Sequence, residues 1–399
     1  RGKVRSITMP KKIKNTKIVR RISGLANVIV AENLTATEVE RIKKLPEVKN
    51  VTLAREFKTT LDVAVPLLQV DQIWTQTGST GLPLTGNGIT VGIIDTGIDY
   101  THPDFGGCQQ TDNINDGSCA KVIGGYDFFS DDTNPMDEQG HGTHVSGIVA
   151  SQGFPLGVAP DAKIYALKVF GTGNAGGDDI LAAMDMALDP NGDGDFSDHL
   201  DVINMSLGMN CVPYNIDCGP DDILSKKADL LAEHNVIVVI AAGNSGPPDK
   251  TIGSPGTSSK AITVGATYKQ DYEGSYWDLN PRVNQITAFS SRGPVDWVDE
   301  SGVQQHLIKP DIVAPGAIIC APRLDSIFEA GQHPYYYPCI DNIHVQLAGT
   351  SMASPYAAGV AALLRQRYPD YSSGQIKEIL IETAADLGLD PETQGSGLI

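Results

Sequence analysis

From residue 88 onward, short runs of Val, Ile, Leu and Ala alternate with stretches in which apolar positions recur at helical spacing. The apolar runs predict strands at 89–95, 163–169, 201–206, 235–241 and 261–266. The stretches between and after them predict helices near 142–151, 177–188, 221–234, 350–367 and 373–384. That rhythm predicts an α/β chain built on a doubly wound, mainly parallel sheet covered on both faces. Sites in such sheets collect at the carboxyl ends of strands, and Asp95 and Asn244 both fall at strand ends.

The first 58 residues follow a different pattern. Residues 18–31 alternate as a strand, Thr35 to Glu38 reads as a capping box, and Val39, Ile42 and Leu45 recur on one helical face. A further strand is expected over 48–57, whereas residues 1–17 show little pattern. Three acidic and aromatic stretches, 268–285, 295–308 and 323–345, read as surface insertions. There is no internal repeat, and the longest aliphatic run, Val236 to Ala242, is far too short to span a bilayer. The chain starts at Arg1 without Met, and Gly397-Leu398-Ile399 reads like the start of another helix, so both ends are expected to be trimmed.

The chain has 399 residues and a net charge of −18, distributed unevenly. Residues 1–58 hold 15 Lys and Arg against 5 Asp and Glu, and the remainder holds 15 against 43. A basic leader joined to an acidic body suggests two parts that attract each other. The mixed strand and helix pattern and scarce aromatics of the leader argue against a nucleic-acid or lipid-binding arm. Six cysteines fall as three sequence-local pairs, Cys108 with Cys119, Cys211 with Cys218, and Cys320 with Cys339, each bracketing a polar segment. Nearest-neighbour disulfides are expected, and with them an extracytoplasmic home. No two cysteines have the close spacing of a zinc knuckle.

Three segments carry chemistry. Gly349-Thr350-Ser351-Met352-Ala353-Ser354-Pro355 presents a serine at a glycine turn opening an apolar helix, and His141-Gly142-Thr143-His144 opens another. Val91 to Gly97 is a buried strand ending in Asp95. An isolated Gly-Thr-Ser would read as a helix cap. A strand-end carboxylate, a helix-start imidazole and a helix-start hydroxyl together are what an oriented general base and its nucleophile require.

These segments resemble the three active-site blocks of the subtilisin-like serine proteases, in the order Asp, His, Ser. Ala241 to Gly246 is similar to that family's oxyanion asparagine segment, and Asn204 to Gly208 to its substrate-binding strand. The likeness runs from about residue 62 to the end, as a catalytic domain over 59–399. A weaker one, to the family's inhibitory propeptide, an α+β plait, covers residues 1–58. The resemblance implies a secreted endopeptidase that acts on polypeptides, carries its own propeptide as an intramolecular inhibitor, and cleaves itself within 57–62. It implies that Ser351 attacks, His141 moves the proton, Asp95 orients His141, and Asn244 joins the Ser351 N–H in stabilising the oxyanion. His144 is then a helix histidine facing the core, and Asp99 and Asp104 are the weaker candidates for the buried carboxylate. The resemblance also implies that Asn174-Ala175-Gly176 and Ser206-Leu207-Gly208 flank an extended substrate, with Gly208 and Gly243 leaving room for its side chain. Met209 stands where many relatives have a second glycine.

One insertion has its own signature. Asp189, Asn191, Asp193 and Asp195 occupy the first, third, fifth and seventh positions of a calcium-loop pattern, with Gly194 sixth. The twelfth position is Leu200, so Asp198 or Asp201 would have to complete a structural calcium site. An acidic solvated loop is the competing reading. The family's common calcium loop after the histidine helix looks shortened to Ser151–Gly157, and no site is expected there. No organic cofactor and no membrane span are expected. The competing functional class is a binding protein held silent by residues 1–58, against which the intact set Asp95, His141, Asn244 and Ser351 argues.

Overall fold

The computed structural model describes residues 17–22, 28–32, 35–44, 48, 64–78, 81–109, 114–171, 176–211, 218–272, 280–299, 301–324 and 337–399. The chain divides into two units, Arg1–Lys58 and Thr59–Ile399. In the first, β1 (Lys17–Ile22) pairs antiparallel with β2 (Val28–Glu32), and α1 (Ala36–Lys43) follows. The single strand expected over 18–31 is thus two strands. The strand expected over 48–57 and the self-cleavage segment lie outside the described residues.

The second unit opens with two short turns of helix, α2 (Ala64–Leu67) and α3 (Val70–Ile73), before β3 (Thr90–Asp95) and β4 (Val122–Asp127). There follow α4 (His141–Ala150), β5 (Lys163–Lys168), α5 (Gly177–Leu188), β6 (Val202–Met205), α6 (Ile223–Glu233), β7 (Ile237–Ala241) and β8 (Ile262–Tyr268). Next come β9 (Val295–Val298), β10 (Gln304–Leu307), β11 (Ile312–Ala317), β12 (Ile319–Pro322), β13 (Tyr337–Pro338) and β14 (His344–Leu347). The chain ends with α7 (Thr350–Arg367), α8 (Ser373–Thr383) and α9 (Pro391–Gln394).

Seven strands form one parallel sheet in the order β11-β8-β7-β6-β3-β5-β4. Because side chains alternate across a strand, each apolar run feeds two cores. Val91, Ile93, Ile237 and Val239 face one, shared with α4 and α7, while Ile94, Val238 and Ile240 face the other, shared with α5 and α6. The sheet is therefore doubly wound, as the rhythm predicts. From β3 the chain builds toward β5 and β4 on one side and toward β6, β7 and β8 on the other. Such a reversal opens a crevice at the carboxyl ends of the strands around β3.

The two edge strands escape the apolar pattern. In β11 a proline, Pro315, interrupts the run, which an edge tolerates because no neighbour needs its N–H. In β4, Gly124 lies so close to the Tyr165 ring that a Cβ would come within 2.4 Å of it, so packing explains what a strand propensity does not. The supposed surface insertions are also partly structured. β9 and β10 pair as a hairpin, and β14 pairs with both β12 and β13. Gly397 to Ile399 is not helical; Leu398 bridges Val313 and Ala385. All three cysteine pairs are bonded as expected: Cys108–Cys119, Cys211–Cys218 and Cys320–Cys339.

β12 and β14 brace α4. His144, fully buried, turns Nε2 toward the Ile319 and Val345 carbonyls at 3.0 and 3.1 Å, so it faces the core as expected. Burial, with nearby His141 adding to it, pushes its pKa down to about 3, which keeps it neutral. His344 of β14 contacts Asp341 through Nδ1 at 2.8 Å and Asp104 through Nε2 at 3.1 Å, and Asp104 also accepts from Ser151 Oγ at the end of α4. Burial disfavours charge on His344, but hydrogen bonds and charges from the two carboxylates outweigh it and raise its pKa. Burial also opposes ionisation of Asp104, yet His344 and Ser151 together lower its pKa.

A raised imidazole pKa contributes stability that is complete below the unfolded value and fades as pH rises through the folded value. A lowered carboxylate pKa contributes stability above its unfolded value, lost as pH falls through the folded one. His344→Gln is therefore expected to lower the melting temperature most between about pH 4 and pH 6.5 and progressively less toward pH 9. Melting curves across that range check this; a deficit that stays constant with pH counts against it.

Candidate active site

Asp95 ends β3, and after β4 the chain returns beside it at the start of α4, whose first residue is His141. Gly142 permits the approach, since a Cβ there would sit 2.2 Å from the Gly97 carbonyl oxygen. As a result His141 Nδ1 meets Asp95 Oδ1 at 2.7 Å. Asp95 is 1% exposed, and the same oxygen accepts from the Thr96 N–H at 2.8 Å. Burial works against a charged His141, but the charge and hydrogen bond of Asp95, with the charge of Asp137, overcome it and raise the imidazole pKa. An orienting carboxylate on Nδ1 leaves Nε2 as the working nitrogen.

Ser351 is the second residue of α7; Pro355, inside that helix, has no N–H to give the Ser351 carbonyl four residues before it, and a side chain from β6's continuation takes that place. A polar cluster beneath pins the helix start. Ser206 Oγ donates to the Ser351 carbonyl at 2.8 Å and lies 3.0 Å from Ser354 Oγ, while Ser354 Oγ donates to Asn204 Oδ1 at 2.8 Å. Ser351 Oγ itself donates to the Ser206 carbonyl at 3.2 Å rather than to the imidazole, so pairing with His141 needs a turn of the hydroxyl. Nucleophile and base contacts of this kind commonly tighten only when substrate is bound.

Asn244 lies three residues beyond β7. Its Oδ1 accepts from the Thr350 N–H at 2.8 Å and from Thr350 Oγ1 at 3.0 Å. With its oxygen held, the amide NH2 is left as the free end, lying near Gly349 at the start of α7. Gly243 adopts φ +108, and a Cβ there would stand 2.9 Å from Ser291 Oγ, so the turn demands glycine.

A cleft of about 460 Å³ opens on Asp95, His141, Asn244 and Ser351, and Ser206, Leu207, Gly208, Met209 and Gly243 line it as well. Met209 bridges Ser254 through a 2.8 Å backbone hydrogen bond and exposes its side chain at the rim. Gly176 caps α5, and its partners in sequence, Asn174 and Ala175, lie outside the described residues. Asp99 is occupied locally by Thr101, as Asp104 is by Ser151 and His344, so neither competes with Asp95. Sequence reasoning passed over Thr96, Asp137 and Thr350, although an acidic residue four positions before a helix-start histidine was a readable cue.

The acidic insertion is wrapped by its own side chains. Asp189 accepts from the N–H groups of Gly192, Asp193 and Gly194, Asn191 from Asp193, Asp193 from Asp195, and Asp195 from Ser197. Asp198 is exposed beside them in sequence, whereas Asp201 Oδ2 accepts from the Thr90 N–H at 2.9 Å. Leu200 is buried against Gly92, which is why an apolar residue stands at the twelfth position. Among the described residues no three His, Cys, Asp or Glu side chains gather closely enough to hold a metal ion. No helix among them is long and apolar enough to cross a membrane.

Comparison with known proteins gives a consistent result. The profile of the subtilase family matches residues 86–397. The serine protease AprX of Bacillus subtilis (strain 168) is 32% identical over 400 residues, spanning 97% of this chain and 81% of that protein. Subtilisin DY of Bacillus licheniformis is 33% identical, spanning 85% of this chain and 97% of its own length. Among solved structures, a cold-adapted subtilisin-like serine proteinase superposes with a TM-score of 0.56 at 24% identity, covering 82% of this chain and 96% of that one, a likeness of fold. The chain belongs to the subtilase family and is a serine endopeptidase acting on polypeptides.

Proposed function

We propose that Asp95, His141 and Ser351 are the catalytic triad of this endopeptidase and that Asn244 is its oxyanion donor. The observation that carries this reading is the 2.7 Å contact of His141 with a buried Asp95, opening onto the cleft that Ser351 and Asn244 share. Ser351 Oγ attacks the scissile carbonyl while His141 Nε2 takes its proton, and Asp95 stabilises the resulting imidazolium. The oxyanion of the tetrahedral intermediate accepts from Asn244 Nδ2 and from the Ser351 N–H at the start of α7. Collapse expels the amine, which takes the proton from His141, and leaves an acyl-enzyme on Ser351 for water to hydrolyse. The substrate backbone lies between Ser206-Leu207-Gly208 and Asn174-Ala175-Gly176, with its side chain beside Gly208 and Gly243, and the exposed Met209 favours apolar or aromatic partners.

Residues 1–58 are proposed to act as the inhibitory propeptide of a self-processing zymogen, and their opposite charge to the body supports docking. Three disulfides support a secreted protein. Calcium is proposed as a structural ion in the 189–201 insertion, held by Asp189, Asn191, Asp193, Asp195 and Asp198. Carboxylate and amide oxygens at alternate positions suit a hard cation, and they would have to turn from the loop's own N–H groups to converge on it, while Asp201, engaged with Thr90, joins only if that hydrogen bond yields.

Ser351→Ala is expected to abolish peptidase activity and to keep residues 1–58 attached, while the parent chain loses them; mass spectrometry of both proteins after incubation reads this out. Release of the leader from the alanine variant would remove the proposal. Asn244→Ala is expected to lower kcat by about 10² to 10³ with little change in KM, the size known for loss of such a donor in subtilisin itself. Steady-state kinetics on a peptide substrate decides it. For the insertion, chelator is expected to lower the melting temperature of the parent and not that of Asp189→Asn/Asp193→Asn; identical chelator response in both proteins rules the site out.

A further inference from the structure

A second buried carboxylate stands behind the Asp95 and His141 pair. Asp137, 2% exposed, lies four residues before His141 and is saturated by five donors. Its Oδ1 accepts from Thr96 Oγ1 at 2.9 Å, the Gln139 N–H at 2.8 Å and the Gly140 N–H at 2.9 Å. Its Oδ2 accepts from the Thr143 N–H at 3.0 Å and from Thr143 Oγ1 at 2.6 Å. An ordinary helix cap would explain the contacts with Gln139, Gly140 and Thr143, since an anion suits a helix start. It would not explain the contact with Thr96.

Thr96 links the two halves of the site. It follows Asp95 directly, its N–H donates to Asp95 Oδ1, and its Oγ1 accepts from the Gly142 N–H at 2.8 Å while donating to Asp137. Thr143 Oγ1 in turn accepts from the Asp99 N–H at 2.9 Å. One carboxylate thereby ties the end of β3 and the loop after it to the first turn of α4. Asp95 rides on the first of these elements and His141 on the second.

The surrounding charges leave the field of Asp137 unspent. Lys168 of β5 donates to the Met136 carbonyl next door, but its ammonium pairs with Asp127 of β4 at 2.9 Å and Glu138 at 3.6 Å. Asp99 is occupied by Thr101, and His144 is neutral. Asp95 and Asp137 are the two anions whose charge raises the His141 pKa against burial. Burial pushes the pKa of Asp137 itself up, outweighing the hydrogen bonds from Thr143, Gly140 and Gln139 that favour its anion.

We propose that Asp137 is a positioning residue for the peptidase reaction: its carboxylate holds His141 in register with Asp95 and adds a second negative charge behind the imidazolium formed when Ser351 loses its proton. The proposal rests on the reading of Asp95, His141 and Ser351 as the triad. It separates Asp137 from a structural cap, because a cap affects folding alone while a charged positioning residue also sets the pH at which the base works.

Asp137→Asn, made in the full chain and assayed on a peptide substrate, is expected to lower kcat about tenfold to a hundredfold with KM within about twofold. With one anion removed, the imidazole holds its proton less tightly, so the acidic limb of kcat/KM is expected to move to lower pH by about half a unit. A limb that stays in place overturns the proposal. Should Asp137→Asn fail to fold, Thr96→Val keeps both carboxylates and removes only the bridge. It is expected to lower kcat about tenfold with the acidic limb unmoved, and parental kcat in that variant overturns the proposal equally. Full activity in Ser351→Ala would instead sink the triad reading, so the two failures are distinguishable.

Discussion

The contact between His141 and Asp95 constrains the rest of this molecule. A carboxylate withdrawn from water loses hydration that a single imidazole cannot replace, so it persists only where fixed donors surround it. Here Asp95 Oδ1 has two donors, His141 and the Thr96 N–H, while Oδ2 is buried without a partner among the described residues. Withdrawing this carboxylate from water beside His141 is a local cost that the remaining fold has to carry. It also keeps the negative charge concentrated where an imidazolium would form.

The parallel sheet bears that cost by being buried on both faces. Its strands need no polar side, so the loops at their carboxyl ends are the one place where polar chemistry can gather. β3 at the reversal point, β6 with its continuation through Ser206, and β7 with its continuation through Asn244 deliver three walls of one cleft. The fourth comes from α7, a helix whose buried surface is largely small: Ala353, Ala357, Ala358, Ala361 and Ala362. Small side chains let the helix lie close against the sheet, and the polar cluster of Asn204, Ser206 and Ser354 fixes its first turn under Ser351.

The histidine helix is supported differently. Its start is held by Asp137 and Thr96, its middle by the grip of His144 on two carbonyls of β12 and β14, and its end by Ser151 and Asp104. β12 and β14 are carried on a segment that the Cys320–Cys339 disulfide also spans. A segment that reads as a surface addition is therefore part of what holds His141 in place. His344 makes this support responsive to pH, since its charge is what two carboxylates attract.

Much of this was legible in the sequence because local periodicity and buried apolar runs decide secondary structure when helices cover both sheet faces. The five central strands, the five long helices, the sheet type and the three cysteine pairs follow from local pattern and spacing, whereas Asp95, His141, Asn244 and Ser351 were singled out by their resemblance to the family's motif blocks. Only the tertiary structure decided which strands form the edges, because β4 and β11 are shaped by packing at Gly124 and tolerance at Pro315 rather than by propensity. It alone showed that Thr350 holds the Asn244 oxygen, that Asp201 turns to Thr90, and that Asp137 joins residues 41 positions apart through Thr96. Hydrogen bonds between side chains distant along the chain leave no periodic trace, whereas burial of a strand or helix face does.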